Sequence, residues 1–303
     1  GMDAEWGIGM RLDDAFSFPY NMTLGAISDD ALIYDMGVRI GVHAKRLGVH
    51  INFAPVTDIN TNPNNPVIGS RSFGEDKFNV TKKSLAYLRG MQSQGIMGSA
   101  KHFPGHGDTS KDSHKTLPTI NFNKKRIDDV ELYPYKELIK NKLSSVMVAH
   151  MEVPSLEKTP KLPSTLSKNI VNKIHNSGAE AALYMIHAYV EPHDKANPKM
   201  IEDIKKMYID AGIKNNALVI PVGIAFENAY KMKPNIKLHK SFDGSHPSML
   251  GTYLASCVVL ASITQKTPKG LHYNYFNKIS DADKIFLQGI AHMTVESFFD
   301  VEL

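Results

Sequence analysis

Ionisable side chains are concentrated in one short stretch, residues 101–118, which reads KHFPGHGDTSKDSHKTLP. Asp112 and His114 are two positions apart, as in a catalytic Asp-x-His dyad. A carboxylate beside an imidazole stabilises the imidazolium cation and fixes its tautomer, which makes the histidine a proton donor near neutral pH. Lys101 and His102 stand where the preceding strand is expected to end, so their polar heads could bind hydroxyl or amide oxygens. The stretch therefore predicts an acid/base loop beside a binding pocket.

Two other interpretations of this loop have to be weighed. Histidine and aspartate are competent metal ligands, but no cysteine pair and no helical HExxH sequence accompanies them. We therefore predict no metal and no cofactor. A long polar loop can also be a solvated surface turn. We favour a functional loop, because composition alone would not place so many ionisable groups directly after a strand.

The first half of the chain alternates between helix and strand patterns. Apolar residues recur every four positions from Leu32 to Ala44, which predicts a helix that Ser28 could cap. Apolar strands are predicted at 51–56, 96–103 and 144–153, with helices around 81–95, 124–143 and 165–178. This order predicts a parallel sheet with helical crossovers, and such sheets collect their chemistry where strands end. The polar segment TDINTN and His150 stand at such ends.

From about residue 179 the sequence changes character, without a repeat, a low-complexity tract or a glycine–serine linker to mark the change. Strands are predicted at 181–192 and 217–226, with helices around 198–212, within 240–263 and at 280–299. We therefore divide the chain, on content alone, into two α/β parts at residues 1–172 and 173–303.

Composition argues against several classes of protein. The 303 residues are 42% hydrophobic and 22% charged, as in ordinary globular domains. No run of eighteen or more apolar residues supports a membrane span, and a net charge of +4 on scattered lysines does not indicate a nucleic-acid partner. The one cysteine, Cys257, excludes an internal disulfide.

The N-terminal GMDAEWG lacks the basic and apolar regions of a signal peptide. Nothing in the sequence fixes the oligomeric state.

The stretch KHFPGHGDTSKDSHKTLP closely resembles the signature of family 3 glycoside hydrolases, in the β-N-acetylglucosaminidase branch. The resemblance extends over about residues 1–172 and includes MDAEWGIGMRL, HINFAPVTDINTNP, VIGSRSFGED and VMVAHMEVP in that order. It implies a TIM barrel, here a partial one, that removes terminal β-linked N-acetylglucosamine from a carbohydrate with retention of configuration. A bacterial cytoplasm or a periplasmic or secreted location is suggested by the family resemblance alone.

The same resemblance assigns roles to individual residues. His114 would be the acid/base and Asp112 its partner in the dyad. The residues that would contact the sugar are Asp3, Arg11, Arg71, Lys101, His102 and His150. Simpler explanations exist for two of them, because Arg71 could pair with the acidic residues at 75–76 and Asp3 could cap a helix.

A retaining enzyme of this family also needs a carboxylate nucleophile across the sugar from the acid/base. By resemblance it is an aspartate in a string like TDALxM, about a dozen residues after TLSKNIVNKI. The chain continues instead with HNSGAEAALYMIHAY. Asp210 in YIDAG is the nearest lookalike, but it lies in a predicted helix and is a poor candidate. We therefore expect little or no turnover, and sugar binding that could persist without it.

The second part resembles the C-terminal portion of an SGNH-type hydrolase, a flavodoxin-like α/β fold. The resemblance rests on ALYMIHAY, ALVIPVGIAFENAYK and DGSHPSMLGTYLASCVV. It implies that His246 is the base for a serine and that Asp243 orients it, although FDGSHP could also be an Asp-Gly turn before a helix. The serine is not recognised, since Ser70, Ser177 and Ser245 do not fit its expected turn.

Three functions remain open from the sequence. The first is a retaining β-N-acetylglucosaminidase-like glycosidase, impaired for want of its nucleophile. The second is an SGNH-type carbohydrate esterase that uses Asp243 and His246. The third is an inactive chimeric or truncated remnant. The expected fold is a partial TIM barrel joined near 172–178 to a partial flavodoxin-like half, with mostly parallel strands.

Overall fold

The computed structural model describes residues 1–111, 116–176 and 178–303. The chain is an α/β protein whose strands pair in parallel, as the sequence predicts. It divides into two compact units, Gly1–Ile170 and Val171–Leu303, called unit 1 and unit 2 below.

Unit 1 contains a three-stranded parallel sheet in the order β1-β2-β3. Its strands are β1 (Ile51–Asn52), β2 (Met97–Phe103) and β3 (Ser145–Val148). Its helices are α1 (Asn21–Gly25), α2 (Asp30–Arg46), α3 (Lys77–Ser93), α4 (Lys124–Arg126) and α5 (Tyr133–Lys140). Single turns of 3₁₀ helix lie at Ile8–Met10, Gly69–Arg71 and Ser164–Leu166, and a π-helical turn at Ile127–Glu131. Helix α6 (Lys168–Asn176) runs across the division between the units.

The N-terminal residues extend this sheet beyond β1. The N–H of Met2 donates to the carbonyl of Ile51 at 3.0 Å, and the carbonyl of Met2 accepts from Phe53 at 2.8 Å. Past the end of β1, Val56 forms a further parallel bridge with Lys101 of β2. Consecutive parallel segments therefore end at one edge of the sheet.

Helices α2 and α3 pack against each other through glycine. A Cβ at Gly90 of α3 would lie 2.2 Å from the carbonyl oxygen of Tyr34, and one at Gly37 of α2 would lie 2.4 Å from that of Tyr87. No other residue allows the two backbones to approach so closely. The buried apolar residues of this contact include Ile33, Met36, Ile40, Val80 and Met91.

Unit 2 contains a two-stranded parallel sheet of β4 (Ala182–Tyr184) and β5 (Leu218–Ile220). Its helices are α7 (Met200–Asn215), α8 (Val222–Met232), α9 (Met249–Thr264) and α10 (Asp281–Phe299). The core lies between α8, α9 and α10, and it includes the buried thiol of Cys257. Of the helices that the structure describes, none has the length and apolar character needed to cross a membrane.

Several predicted elements differ in extent from those observed. The predicted strand 217–226 ends at Ile220, and Pro221 precedes helix α8. The predicted strand 181–192 is regular only over β4. The predicted strand 51–56 is regular only over β1, which ends at Asn52, and Pro55 beyond it has no N–H to donate to the ladder. Helix α2 is capped by Asp29, whose carboxylate accepts the N–H of Ala31 at 2.9 Å, and the prediction of Ser28 as its cap was wrong.

Candidate active site

Ionisable side chains of unit 1 gather at the carboxyl ends of its parallel segments. Asp3 and Glu5 follow the N-terminal segment that pairs beside β1. Asp58 follows β1 and its extension, and Lys101 and His102 lie near the end of β2. Because the carboxyl ends of parallel strands share one edge, residues distant in sequence meet there.

The segment from Asp3 to Glu5 is fixed by buried polar side chains. The N–H of Ala4 donates to Oδ1 of Asn52 at 3.0 Å. The carbonyl of Ala4 accepts from Nδ2 of Asn52 at 3.2 Å and from the hydroxyl of Tyr87 at 2.8 Å. These bonds hold the backbone between the two acids, which limits the movement of both carboxylates.

Lys101 is the central cation of the site. Its Nζ lies 2.8 Å from Oδ1 of Asp3 and 2.7 Å from Oε1 of Glu5, and its side chain is 2% exposed. Burial alone would raise the pKa of both acids, but hydrogen bonds and charges from neighbouring lysine and arginine outweigh it and lower both pKa values. Both acids are therefore ionised at neutral pH, and they compensate the buried ammonium group.

Two arginines extend this cluster. Arg71 holds Glu5 with two N–H groups, Nε at 3.0 Å from Oε2 and Nη2 at 2.7 Å from Oε1. Burial would lower the pKa of Arg71, but the pairing with Glu5 raises it. This bidentate contact shows that the partner of Arg71 is Glu5 and not the acidic residues at 75–76. Arg11 places Nη2 at 2.6 Å from Oδ2 of Asp3, so Asp3 belongs to an ionic pair and caps no helix.

His102 connects this cluster to Asp58, whose side chain is fully buried. Nδ1 of His102 lies 2.6 Å from Oδ2 of Asp58. The backbone N–H groups of His102 and His106 donate to Oδ1 at 3.1 and 2.7 Å. On the other side of the ring, Nε2 lies 3.3 Å from Nη2 of Arg71. Burial would raise the pKa of Asp58, but its close contacts with His102 and with the backbone N–H of His106 outweigh burial and lower this pKa.

These contacts form one continuous network, which runs Arg11–Asp3–Lys101–Glu5–Arg71–His102–Asp58. Its three carboxylates are balanced by its three permanent cations. Exposure rises from Glu5 and Asp58, which are fully buried, to 24% at Arg71 and 48% at Arg11. The network thus presents pre-oriented donors and acceptors at one edge without net charge, which suits a neutral ligand rich in hydroxyl and amide groups.

The first part of the charged loop is held against residues 59–65. The buried side chain of Asn65 donates from Nδ2 to the carbonyl of His106 at 2.8 Å. Gly107 passes so close to Ile59 that a Cβ would lie 1.8 Å from its carbonyl oxygen. This glycine is therefore required by close contact between two backbones, which fixes the chain just before residue 108.

The predicted dyad, Asp112 and His114, lies outside the described residues. Of the six residues expected to contact sugar, the network contains all except His150. His150 follows β3 and places Nδ1 at 2.8 Å from the hydroxyl of Thr165, and burial lowers its pKa. Within residues 1–111, 116–176 and 178–303, no three His, Cys, Asp or Glu side chains are grouped as metal ligands.

Unit 2 carries an aspartate–histidine pair of its own. Nδ1 of His246 lies 2.5 Å from Oδ2 of Asp243, and Oδ1 of Asp243 accepts the backbone N–H groups of Ser245 and His246 at 2.9 and 3.0 Å. Against the effect of desolvation, these bonds lower the pKa of Asp243 to about 2. The hydroxyl of Ser245 is 3.3 Å from the same Nδ1, and in the described part of the chain no serine hydrogen-bonds to Nε2. The segment is therefore a turn in which the two side chains are hydrogen-bonded, and a catalytic role for this pair stays a prediction.

A second cluster in unit 2 was not predicted. His239 places Nδ1 at 2.6 Å from the hydroxyl of Tyr230 and Nε2 at 2.9 Å from Nδ1 of His187. Burial, followed by the neighbouring His239, lowers the pKa of His187 to about 4. Tyr230 and His239 also line a cavity of about 280 Å³. The two histidines are 52 positions apart, and although His187 lies in the string ALYMIHAY, no sequence signal connects it to His239.

Comparison with known proteins identifies the family of the chain. Residues 1–178, more than half of the sequence, match the family described as Glycosyl hydrolase family 3 N terminal domain. The chain belongs to this family.

Three relatives or solved structures match the chain to different extents. β-Hexosaminidase A of Pseudoalteromonas piscicida is 36% identical over 188 residues, which are 57% of this chain and 31% of that protein. A family 3 β-N-acetylglucosaminidase from Paenibacillus sp. str. FPU-7 has a TM-score of 0.57 at 28% identity, over 99% of this chain and 50% of that one. NagZ from Neisseria gonorrhoeae, in complex with N-trifluoroacetyl-D-glucosamine, has a TM-score of 0.60 at 19% identity, over 95% and 80%. This last likeness is one of fold alone.

The chain spans less than half the length of the curated relatives that it matches, between 31% and 47% of each. The family assignment rests on the region that contains the network described above.

Sequence reasoning missed three residues of this candidate site. Glu5 lies two positions after Asp3 and is the acid that joins Lys101 to Arg71. Asp58 stands in TDINTN, which the sequence marks as a polar strand end without singling out a residue. Asn52 reads as an interruption of an apolar strand, and a buried amide at such a place is itself a signal of a specific hydrogen-bonding role.

Proposed function

We propose that unit 1 recognises a terminal β-linked N-acetylglucosamine residue and that the chain is a β-N-acetylglucosaminidase-like glycoside hydrolase. The observation that carries this proposal is the charge-balanced network from Arg11 to Asp58 at the strand ends. An N-acetylated pyranose is neutral, donates hydroxyl hydrogens to carboxylates, and accepts from lysine and arginine. Family membership and relatives named as hexosaminidases support the choice of sugar.

In the proposed reaction, His114 gives its proton to the glycosidic oxygen as the bond from that oxygen to the anomeric carbon breaks. Asp112 stabilises the imidazolium before this transfer. A carboxylate attacks the anomeric carbon and forms a glycosyl-enzyme ester, and His114 then takes a proton from the water that displaces it. The cycle adds one water molecule and regenerates both groups. The roles of Asp112 and His114 rest on the family resemblance.

We further propose that turnover by this chain is weak, because no aspartate is recognised in the sequence at the position of the nucleophile. Asp210, the nearest lookalike, lies in α7 and places Oδ2 at 2.6 Å from Nζ of Lys206. Loss of a nucleophile typically removes about 10⁴–10⁶-fold in rate. Sugar binding depends on the network and does not need the nucleophile.

Binding and turnover can be tested separately. Isothermal titration of N-acetylglucosamine should show binding that Lys101→Met abolishes and that Lys124→Met, at an exposed lysine, leaves unchanged. Circular dichroism would establish that both variants are folded. A folded parent chain that binds no N-acetylglucosamine would overturn the proposed recognition.

Release of 4-nitrophenol from its N-acetyl-β-glucosaminide, beside His114→Ala, tests the chemistry. We expect the parent chain to release 4-nitrophenol at a rate close to that of His114→Ala. A much higher rate in the parent chain, abolished by His114→Ala, would mean that another group serves as nucleophile, and the proposed impairment would be wrong.

A second candidate is an SGNH-type carbohydrate esterase in unit 2, and the 2.5 Å contact between His246 and Asp243 favours it. His246 would deprotonate a serine that attacks an acetyl ester, and Asp243 would stabilise the imidazolium. A fluorophosphonate probe should then label a serine, and His246→Ala should abolish the labelling while His193→Ala preserves it. Absence of any labelled serine would exclude this function.

The third candidate is an inactive chimera of two hydrolase fragments. The division into two compact units, each with its own sheet, is compatible with it. A folded chain that neither hydrolyses the N-acetyl-β-glucosaminide nor reacts with the fluorophosphonate would support this candidate, and either activity would exclude it.

A further inference from the structure

The imidazole of His102 lies between a group that can only accept and a group that can only donate. The ionised carboxylate of Asp58 has no hydrogen to give, and its Oδ2 lies 2.6 Å from Nδ1. The guanidinium of Arg71 has no lone pair to offer, and its Nη2 lies 3.3 Å from Nε2. The hydrogen-bonding directions of these two partners therefore fix where the imidazole carries its proton.

We propose that Asp58 is a positioning residue that holds His102 as the neutral tautomer with hydrogen on Nδ1, so that Nε2 presents a lone pair to the ligand. Hydrogen on Nε2 would face an N–H group of Arg71, and Nδ1 would then face Asp58 without a hydrogen to share. The fully buried carboxylate also accepts the backbone N–H of His102, which fixes the ring and its main chain together.

This inference deepens the proposed function, on which its meaning for the ligand rests. A hydroxyl group that enters between Nε2 and Nη2 of Arg71 would replace their direct 3.3 Å contact, because it can donate to the histidine and accept from the arginine at once. His102 therefore selects for a hydroxyl hydrogen. A fluorine at the same position of the sugar could only accept, so the corresponding deoxyfluoro sugar should bind as poorly as the deoxy sugar.

The tautomer can be measured without any ligand. Two-bond ¹⁵N–¹H correlation spectra of protein labelled with [¹⁵N]histidine distinguish the two neutral tautomers and the cation at each of the thirteen histidines. His102→Asn, whose amide can still donate to Asp58, identifies the signals of His102. At about pH 7.5, well above the ordinary pKa of histidine, we expect hydrogen on Nδ1 and none on Nε2. Hydrogen on Nε2, or on both nitrogens, would overturn the proposal even if the chain binds sugar.

Asp58→Asn should reverse the tautomer. In the parent chain, Oδ1 of Asp58 accepts two backbone N–H groups and Oδ2 faces Nδ1 of His102. In the asparagine variant, the amide oxygen should take the place of Oδ1, because only an oxygen can accept those two N–H groups. The amide NH₂ should then face Nδ1 of His102 as a donor. The proton would then move to Nε2. Asp29→Asn is the matched control, because it makes the same substitution at the N-cap of α2, where aspartate and asparagine cap a helix almost equally well. It should leave the signals of His102 unchanged. If Asp58→Asn does not fold, the spectrum of the parent chain still decides the proposal.

Sugar binding distinguishes positioning from a general structural role. Asp58→Asn should weaken the binding of N-acetylglucosamine about tenfold, and it should have no further effect in a His102→Ala background. Equal losses in both backgrounds would show that Asp58 does not act through His102. If the parent chain binds no sugar, the proposed function fails, while the spectrum still tests the tautomer.

Discussion

Nζ of Lys101 lies 2.7 Å from Oε1 of Glu5, and neither side chain is more than 2% exposed. The same oxygen lies 2.7 Å from Nη2 of Arg71, so one carboxylate compensates two cations. Glu5 therefore links the end of β2 to the loop that carries Arg71, and the N-terminal segment becomes part of the site. A substitution of Glu5 therefore tests whether the network contributes to the free energy of unfolding.

Glu5→Gln should destabilise unit 1 by about 3 kcal/mol, because it leaves the buried Lys101 and the partly buried Arg71 with less compensation. Urea unfolding followed by the emission of Trp6, the single tryptophan, measures this change in unit 1. Glu75→Gln, at an exposed position of the same unit, should change the free energy of unfolding by less than about 0.5 kcal/mol. Equal effects of the two substitutions would show that the buried contacts contribute little.

Unit 1 should lose stability in acid through the same carboxylates. Asp3, Glu5 and Asp58 have a lower pKa in the folded chain than their ordinary values of 3.8, 4.5 and 3.8. Their contribution is therefore present above those values, and it is lost as the pH falls below about 4 through the folded pKa values. Urea midpoints between about pH 3 and 6, followed by Trp6 emission, should fall steeply below about pH 4.5, and less steeply in Glu5→Gln. A stability that rises in acid would contradict this assignment.

The part of the site that could be predicted from sequence is the part written as local motifs. KHFPGHGDTSKDSHKTLP and its position after a strand located Lys101 and His102 correctly at a sheet edge. The partners of these residues could not be predicted, because Glu5 and Asp58 become neighbours of them only through the register of parallel segments. From the sequence alone, an acidic residue could pair with any of several basic residues. Its actual partner depends on which strand ends are adjacent in the sheet.

The same reasoning explains which elements were predicted correctly. Helix α10 has a long apolar pattern after the capping residue Ser280, and it lies where the sequence indicates. Helix α3 was also predicted, but it begins at Lys77 after its cap Asp76, four residues before the predicted start. The apolar run ALVIPVGIAF contains β5 and the first turn of α8. A short apolar run has the same hydrophobicity in a buried strand and a buried helix, so only the proline at 221 could have marked the change.

Gly90→Ala should destabilise unit 1 by about 1–3 kcal/mol, because its Cβ would overlap the carbonyl of Tyr34 and force α2 and α3 apart. Gly289→Ala, in α10, meets no atom within 4 Å, and it should stabilise unit 2 by about 0.5–1 kcal/mol through helix propensity. Thermal unfolding by circular dichroism should therefore move in opposite directions for the two variants. A stabilising Gly90→Ala would contradict the close contact of the helices.

Arg71→Lys should weaken binding of N-acetylglucosamine about tenfold while keeping the charge, because lysine cannot make the two parallel N–H contacts with Glu5 and face Nε2 of His102 at the same time. Arg89→Lys, at an exposed position of α3, should leave the affinity unchanged. Titration calorimetry of the three proteins measures this difference. Unchanged affinity in Arg71→Lys would mean that charge alone matters at this position.

Unit 2 should lose stability as the pH falls below about 6.5. The pKa of His187 falls from its ordinary 6.5 to about 4 in the folded chain, because burial and His239 disfavour its cation. A depressed folded pKa contributes stability that is present above about pH 6.5 and is lost between about 6.5 and 4, by up to about 3 kcal/mol. Cys257, the single cysteine, is buried in the core of this unit, and the pH dependence of its labelling, corrected for thiol ionisation, reports this loss. The asparagine of His187→Asn cannot be protonated in this range, so the corrected rate of Cys257 labelling in this variant should not rise as the pH falls. An equal rise in the variant and the parent chain would assign the acid sensitivity to other groups.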